Sequence, residues 1–290
     1  MAVTVHRDAA AFLAAAGPLL RASEAENNLL LSVAQGLVAD PGDAADSIVS
    51  GHEAAYLATV ERDGRTAGAA VLTGPHKLIV TGLPAAALDP LAASLAEHAP
   101  DLPGVVGPAD TARALASRLA ARLGRRVTPG LDMQVYRLTA VEAIAPPPGR
   151  LRPCTTDDRE LLVAWITAFF AELPVDGPAS AEQRADALLA AGRAWLWVDG
   201  APVSMAAQVG ATPHGARVAL VYTPPELRGH GYGTACVAGT CQALLDGGRE
   251  FCFLFADQDN PETNRLYRRV GFAPVCGFQE LGLAADDAAS

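Results

Sequence analysis

Residues 221–234 combine the residue types that hold phosphate groups. An apolar run ends at Tyr222, two prolines follow, and a glycine-rich segment leads into a helical pattern. Glycine lets backbone N–H groups approach a ligand closely, and a helix start adds unpaired donors and the positive end of the helix dipole. The pattern Arg228-x-x-Gly231-x-Gly233 therefore predicts a pyrophosphate site, although the same pattern alone also fits a tight turn. It lacks the Gly-Lys-Ser/Thr of a P-loop and the distant acidic residue of a dinucleotide fingerprint.

A second polar segment follows an apolar run at residues 251–255. It places Asn260, Tyr267 and the pair Gly271-Phe272 at the spacing N-x6-Y-x3-G-F. Proline after Asn260 suits the first turn of a helix, so the segment predicts a helix that ends near Gly271. Without the first motif, helix capping by Asn260 and core packing by Tyr267 would explain both residues.

Joined by a helix and a strand, the two motifs resemble the GNAT superfamily of acyl-CoA-dependent N-acyltransferases, with close matching from about Pro202 to Phe272. The resemblance implies an N-acetyltransferase that uses acetyl-CoA as cosubstrate, without a metal. The acetyl group would pass directly to a primary amine of a small molecule, a peptide or a protein. The alternatives are a non-catalytic acyl-CoA sensor and a transferase that uses another acyl-CoA.

The resemblance also implies roles for individual residues. The strand at residues 216–222 would splay from the strand at 251–255, which leaves backbone groups for the thioester and the pantetheine amides. Tyr267 would act as the general acid that protonates the departing thiolate. The expected cofactor-binding residues are Val221, Thr223, Arg228, Gly229, His230, Gly231, Tyr232, Gly233, Thr234, Asn260, Asn264 and Arg268. Three arginines on the last helix, Arg265, Arg268 and Arg269, could meet the 3′-phosphate of CoA or form a solvated surface.

The general base is not fixed by either motif. An attacking ammonium must lose a proton, so a carboxylate or a histidine is expected within one water of the amine. Glu226, beside the glycine-rich segment, is the first candidate. Glu172, Asp176, Tyr222 and His230 are further candidates on neighbouring segments.

The stretch Ala145-Pro-Pro-Pro-Gly149 divides the chain into two nearly equal halves. Each half repeats the order of two helices, a three-strand meander, and helix–strand–helix–strand. The expected fold class is α/β (α+β), with tandem GNAT-like domains at 1–145 and 150–290. Each domain would be a mixed, mostly antiparallel central sheet flanked by helices. The first half has no glycine-rich phosphate motif after Thr81, so we expect a degenerate domain with a structural or acceptor-binding role.

Local signals place the individual elements. Asp63-Gly64 predicts a hairpin turn. Ser23 and Thr156 are the expected caps of two helices, and Ser180 with Gln183 forms a capping box for a third. The last two strands are expected at residues 272–275 and 278–283.

Composition limits the class of protein. The chain has 290 residues, a net charge of −10, a hydrophobic fraction of 50% and a sequence pI near 5.0. The hydrophobic fraction excludes a disordered chain, and no apolar run reaches the ~18 residues of a membrane span. The acidic balance argues against nucleic acid or anionic membrane as a partner. With charged residues near its start and five cysteines without a C-x-x-C pair, the chain is expected to be cytoplasmic. The oligomeric state is not indicated.

Overall fold

The computed structural model describes residues 1–38, 54–173 and 180–285. Its contacts divide the chain into two compact units. Unit 1 consists of Met1–Val135, Ala256–Asp259 and Pro274–Ser290, and unit 2 of Tyr136–Phe255 and Asn260–Ala273. Both units combine helices with a mostly antiparallel sheet, which confirms the predicted fold class. The units interleave along the chain, whereas the ranges 1–145 and 150–290 remain predictions about domains and their roles.

Unit 1 contains most of the first half of the chain. Its elements are β1 (Ala2–Val5), α1 (Ala9–Ala22), α2 (Asn28–Gly36), β2 (Ala54–Arg62), β3 (Arg65–Thr73), β4 (Leu78–Val80), α3 (Ala85–His98), β5 (Gly104–Pro108), α4 (Ala109–Leu123), most of β6 (Arg125–Leu138) and β12 (Ala273–Ala285). The strand order is β1-β2-β3-β4-β5-β12, with the first part of β6 beside β12. Leucines of α3 and α4 pack against these strands in the core.

The predicted hairpin between β2 and β3 is confirmed. Asp63 and Gly64 have φ angles of 51° and 73°, the left-handed geometry that a two-residue turn of this kind requires. The prediction for Ser23 was wrong, because α1 continues to Ala22 and Ser23 lies at its C-terminal end. The next helix begins at Asn28, whose side-chain amide donates to the Ala25 carbonyl across the intervening turn (2.7 Å).

The two strands expected at the end of the chain form the single strand β12. Gln134 donates to the carbonyl of Cys276 (2.8 Å), which keeps the chain extended between the two expected segments. Beyond Cys276, β12 pairs with β5 without a break in register, from Phe278 opposite Pro108 to Gly282 opposite Gly104.

Unit 2 carries both sequence motifs. After the end of β6 it contains β7 (Arg150–Pro153), α5 (Arg159–Ala171), α6 (Ala181–Ala190), β8 (Ala194–Asp199), β9 (Ala201–Ala211), β10 (Gly215–Tyr222), α7 (Tyr232–Asp246), β11 (Phe251–Asp257) and α8 (Pro261–Val270). The strand order is β7-β8-β9-β10-β11, with the last residues of β6 beside β11. Strands β7 to β10 pair antiparallel, and β10 and β11 pair parallel. Helices α5 and α6 cover one side of this sheet, while α7 packs in a separate apolar cluster with Val203 and Ala206.

The capping residue lies one position earlier than expected, and it caps a short turn that leads into α5 rather than α5 itself. Thr155 and Asp158 form a capping box around a single 3₁₀ turn, so Thr156 is not the cap. The Asp158 carboxylate also accepts two hydrogen bonds of 2.7 Å from Arg152. Because these charged donors stabilise the carboxylate, they lower the pKa of Asp158 to about 2.

Ser180 caps α6 as predicted, since its hydroxyl oxygen accepts from the Gln183 N–H at 3.1 Å. The second bond of the predicted capping box, from the Ser180 N–H to the Gln183 side chain, is not found among the described residues, and the Ser180 hydroxyl donates to Glu182 instead. Within the described ranges, every helix is too short or too polar to span a bilayer.

Candidate active site

Strands β10 and β11 open a cleft in unit 2, as the sequence predicts. They pair in parallel from Gly215 opposite Phe251 to Arg217 opposite Phe253, and the described register goes no further. A ladder that ends while both strands continue leaves main-chain groups that can bind an extended ligand. Arg217 therefore marks the closed end of the cleft.

A β-bulge in β10 bends the open arm of this cleft. Opposite β9, Ala219 pairs with Ala207 and Tyr222 with Met205, so β10 carries one extra residue. Leu220 within the bulge has a φ of +52°, which is uncommon for a residue with a side chain. The sequence did not indicate the bulge, because neither glycine nor asparagine stands at this position.

The glycine-rich segment forms a loop at the start of α7. Gly229 and Gly231 have φ angles of 80° and 83°, in the left-handed region where other residues are strained. Gly231 is the N-cap residue and no side chain caps the helix, so the first N–H groups of α7 remain available as donors. A Cβ atom on Gly229 would meet no other atom within 4 Å, so the loop is open on that side.

The loop borders a cavity of about 260 Å³. The residues that line it are Ile144, Ala145, Pro146, Pro147, Gly229, His230, Gly231, Thr234 and Arg269. Part of the proline-rich stretch is therefore a wall of the cavity, a role that the sequence analysis missed by treating the stretch as a spacer. Trp197 holds the stretch in place, because its indole N–H donates to the Pro148 carbonyl at 3.0 Å.

The other end of the loop packs tightly against its neighbours. A Cβ atom on Gly233 would lie 3.2 Å from Thr223 Oγ1 and 3.5 Å from the Leu266 side chain of α8. The Thr223 hydroxyl lies 2.9 Å from the Ser204 hydroxyl. Half-buried Val221 packs against the apolar cluster under α7. Glycine at 233 thus lets the end of β10, the start of α7 and α8 meet.

Arg228 is held by neighbouring residues. Its Nη2 donates to both carboxylate oxygens of Glu172, at 2.6 and 2.9 Å, and its Nε donates to the Thr223 carbonyl at 2.9 Å. Arg228 does not line the cavity described above. The structure therefore places Arg228 as a brace of the loop, and it engages Glu172, one of the candidate bases, in the same ion pair.

Two aromatic side chains stack where the loop enters α7. His230 is exposed and stacks on Tyr232, with ring centroids 5.8 Å apart and an angle of 20°. The Tyr232 hydroxyl donates to Asp199 at 2.8 Å, and this bond raises the pKa of Tyr232. Thr234, one turn into α7, lines the cavity together with His230.

Helix α8 holds the second motif. Asn260 caps it, with Oδ1 accepting from the Thr263 N–H at 3.1 Å. Asn264 donates to the Asn260 carbonyl at 2.7 Å and accepts from the Tyr136 hydroxyl at 2.9 Å. Both asparagines therefore have local structural contacts, and their expected binding of the cofactor stays a prediction.

Tyr267 is buried beside the aromatic rings of Tyr136 and Phe272, with centroid separations of 6.3 and 5.8 Å. Burial raises the pKa of Tyr267 to about 12. Its hydroxyl makes no hydrogen bond within the described ranges. A tyrosine that is protonated at neutral pH, and whose hydroxyl does not donate to another described residue, is suited to act as a proton donor.

The three arginines of α8 are all exposed, and only one of them borders the cavity. Arg269 lines it with the glycine loop, whereas Arg265 and Arg268 do not. Arg269 is the better placed of the three to meet a phosphate at the loop. The sequence could not separate them, because all three lie within one short helix.

The candidate bases are not brought together. Glu226 is exposed on a 3₁₀ turn before the loop. Tyr222 is buried against Trp165, with ring centroids 6.0 Å apart, and burial is the main cause that raises its pKa. Asp176 lies outside the described residues.

Comparison with known proteins supports the interpretation of unit 2. The model of the Acetyltransferase (GNAT) family matches residues 159–272. A curated relative, mycothiol acetyltransferase of Pseudarthrobacter chlorophenolicus, is 32% identical over 179 residues, which are 54% of this chain and 53% of the relative. The match thus spans about half the length of the relative.

Solved structures share the fold. A GCN5-related N-acetyltransferase from Sphaerobacter thermophilus is 21% identical, with a TM-score of 0.55 over 89% of this chain and 91% of its own. A tandem GNAT protein from the clavulanic acid biosynthesis pathway is 15% identical, with a TM-score of 0.50 over 99% of both chains. At these identities the likeness concerns the fold. The family match concerns the segment 159–272, which carries the glycine loop and Tyr267, and shows that this segment is similar to GNAT acetyltransferases.

Proposed function

We propose that this protein is an N-acetyltransferase that moves an acetyl group from acetyl-CoA to a primary amine by direct attack. The observation that carries the proposal is the glycine loop at the uncapped start of α7, next to the end of a strand that diverges from its parallel neighbour. Here a phosphate site lies next to strand backbone groups that have no partner strand in the described register. This combination suits a ligand that carries negative charge at one end and amide groups along an extended chain. The name of the curated relative supports acetyl transfer as the class of reaction.

The loop fits the pyrophosphate of acetyl-CoA. In this proposal, N–H groups of Gly229, Gly231, Gly233 and Thr234 hold the phosphates, and Arg269 adds a positive charge at the cavity wall. The open space beside Gly229 gives the ligand close access to the backbone. His230 and Tyr232 flank the loop, and Arg228 keeps its shape through Glu172.

The chemistry needs few protein groups, because acetyl-CoA supplies the acetyl group as an activated thioester. The bulge at Leu220 bends β10 where its backbone would meet the thioester arm. As the amine nitrogen forms its bond to the acetyl carbon, the C–S bond breaks. Tyr267 would then donate its hydroxyl proton to the departing sulfur and recover a proton from solvent. The proton lost by the amine would pass through water, with Glu226 as a candidate acceptor.

For the first half of the chain we propose a structural or acceptor-binding role. Its strand β4 is followed by Thr81-Gly-Leu-Pro-Ala85, where α3 begins with Pro84 at its N-cap. Proline has no N–H to offer a ligand, and the segment contains one glycine where residues 229–233 around the start of α7 contain three. One acyl-CoA site for each chain is the consequence.

Acyl transfer to a panel of primary amines tests the proposal. Full-length protein is incubated with acetyl-CoA and each amine, free thiol is recorded over time, and mass spectrometry checks the acceptor for a gain of one acetyl group. We expect amine-dependent thiol release with acetylated product. Binding of acetyl-CoA without release across small-molecule, peptide and protein amines would favour the acyl-CoA sensor instead. Release with propionyl- or longer acyl-CoA but not with acetyl-CoA would correct the donor.

A further inference from the structure

Arg217 stands at the closed end of the cleft and has no anionic partner among the described residues. It is the last residue of β10 that pairs with β11, and its guanidinium carbon lies 4.9 Å from the ring centroid of Phe255. Its Nε is buried and has no hydrogen-bond partner. The residue as a whole is only partly buried, so part of it remains accessible.

A second arginine lies near Arg217 and increases the local positive charge. Arg184 of α6 packs over the ring of Phe170 at 5.8 Å. Burial and the nearby Arg184 together lower the pKa of Arg217 to about 10. In the part of the chain that the structure describes, neither arginine has an ion pair with an acidic side chain, although the chain holds 32 acids against 22 bases. The two acids of α6 have other partners, because Glu182 accepts from Ser180 and Asp186 accepts from Arg159.

Both arginines lie on the side of the sheet that faces α5 and α6. Cys252 of β11 points towards α7, because its Sγ lies 3.9 Å from the Cys241 carbonyl. Side chains of neighbouring residues on a strand point to opposite faces of the sheet, so Phe253 points away from α7. Arg217 is the direct partner of Phe253 on β10, so its side chain lies on the same face as that of Phe253. The glycine loop belongs to α7. A molecule entering from the α6 side would therefore meet the cleft opposite the proposed cofactor site.

Two arginines in a low-dielectric site, with no acidic partner in the described ranges, favour a ligand with a negative charge. We propose that the acceptor amine carries a carboxylate, which the Arg217 guanidinium binds as a two-point fork while Arg184 adds positive charge. This inference rests on the proposed function, because it treats the amine acceptor as the occupant of this side of the cleft. A planar fork matches a carboxylate and would orient the amine towards the acetyl group.

The position of Arg217 also limits the acceptor. Three residues separate Arg217 from Leu220 in the bulge, or ~10 Å along an extended strand. The Arg217 side chain covers part of that distance, so the acceptor needs only a short spacer between its carboxylate and its amine. A series of linear amino carboxylates with increasing chain length therefore samples the site.

The experiment compares each linear amino carboxylate, from one to five methylenes, with its primary amide. Thiol release from acetyl-CoA gives kcat/KM for both members of each pair. For wild type, we expect the acid to exceed its amide by roughly 30-fold or more at the best spacer, the factor typical of one desolvated charge pair. Arg217→Met should abolish this preference, and Arg217→Lys should keep part of it, because lysine has charge without the fork.

Arg137→Met is the matched control. Arg137 is exposed and packs over Phe251, at 4.6 Å, in the same row of phenylalanines on β11, but at the paired end. It should retain the preference of wild type. If Arg217→Met does not fold, Arg184→Met serves as the second variant, with an expected several-fold loss of preference.

Calorimetry with acetyl-CoA on the same preparations distinguishes failure of the proposed function from failure of the inference about the acceptor. Wild type that binds no acetyl-CoA would contradict the proposed function itself. Wild type that binds acetyl-CoA but uses acids and amides equally, or acetylates no amino carboxylate of the panel, would overturn only the inference about the acceptor. An unchanged preference in Arg217→Met would overturn it as well.

Discussion

Replacing Tyr267 by phenylalanine should separate chemistry from folding with unusual clarity. The ring contacts with Tyr136 and Phe272 survive, because phenylalanine has the same ring. The hydroxyl makes no hydrogen bond to the described residues, so its loss should change the free energy of unfolding by less than ~1 kcal/mol. A missing general acid typically costs ~10²–10⁴-fold in rate. We therefore expect a large fall in kcat without a matching fall in melting temperature.

The assay measures thiol release, acetyl-CoA affinity and thermal melting on the same preparation. Acetyl-CoA affinity should stay within a few-fold of wild type, and a thioester with a more acidic thiol should recover part of the rate. Tyr56→Phe is the control, because the Tyr56 hydroxyl donates to Ser94 at 2.8 Å in unit 1. It should lower stability by about 1 kcal/mol and leave kcat unchanged. If kcat of Tyr267→Phe stays near wild type, Tyr267 is a packing residue and the reasoning about the proton donor is refuted.

Two further changes test the loop and the capping box. Gly231→Ala and Gly248→Ala both place a side chain at a left-handed φ, 83° and 95°, so each variant should lose about 1–2 kcal/mol of stability. Only Gly231→Ala should also weaken acetyl-CoA binding, by at least ~10-fold in calorimetry. Equal affinities in the two variants would show that the loop does not hold the phosphates. Arg152 lowers the pKa of Asp158 to about 2, so the stabilising effect of this carboxylate is complete above its unfolded pKa of ~3.9 and is lost as pH falls towards 2. Asp158→Asn should therefore lower stability at pH 7 by about 1–3 kcal/mol and by much less at pH 2, and equal losses in urea melts at both values would contradict this reasoning.

The elements that the sequence predicted best are those with local boundaries. The sequence predicts helices at 85–98 and 109–123, and α3 and α4 begin and end at these residues. The apolar repeat in each is bounded by proline at the start, and in α4 also by Gly124 at the end. The start of α7 was likewise visible from Gly231. Ser23 and Thr156 were misjudged because several hydroxyl and carboxylate residues stand close together near each helix end, and only the folded backbone selects one of them.

The site itself was predicted in outline, through motifs within two short segments. Contacts between distant residues gave no local signal. The ion pair of Arg228 with Glu172 joins residues 56 positions apart, and the contact of Trp197 with Pro148 joins residues 49 apart. Arg217 was also overlooked, since a single arginine in a strand pattern has no motif. The functional interest of Arg217 comes from the lack of an acidic partner among the described residues, and only the packed structure shows this.

Calorimetric titration of the full-length chain with acetyl-CoA tests the central claim most directly. The claim is that the glycine loop before α7 binds acetyl-CoA and that the first half of the chain has no equivalent loop. The account predicts saturation near one acetyl-CoA for each chain. A stoichiometry near two would show a second site in the first half, and no measurable binding at millimolar acetyl-CoA would contradict the assignment of the loop.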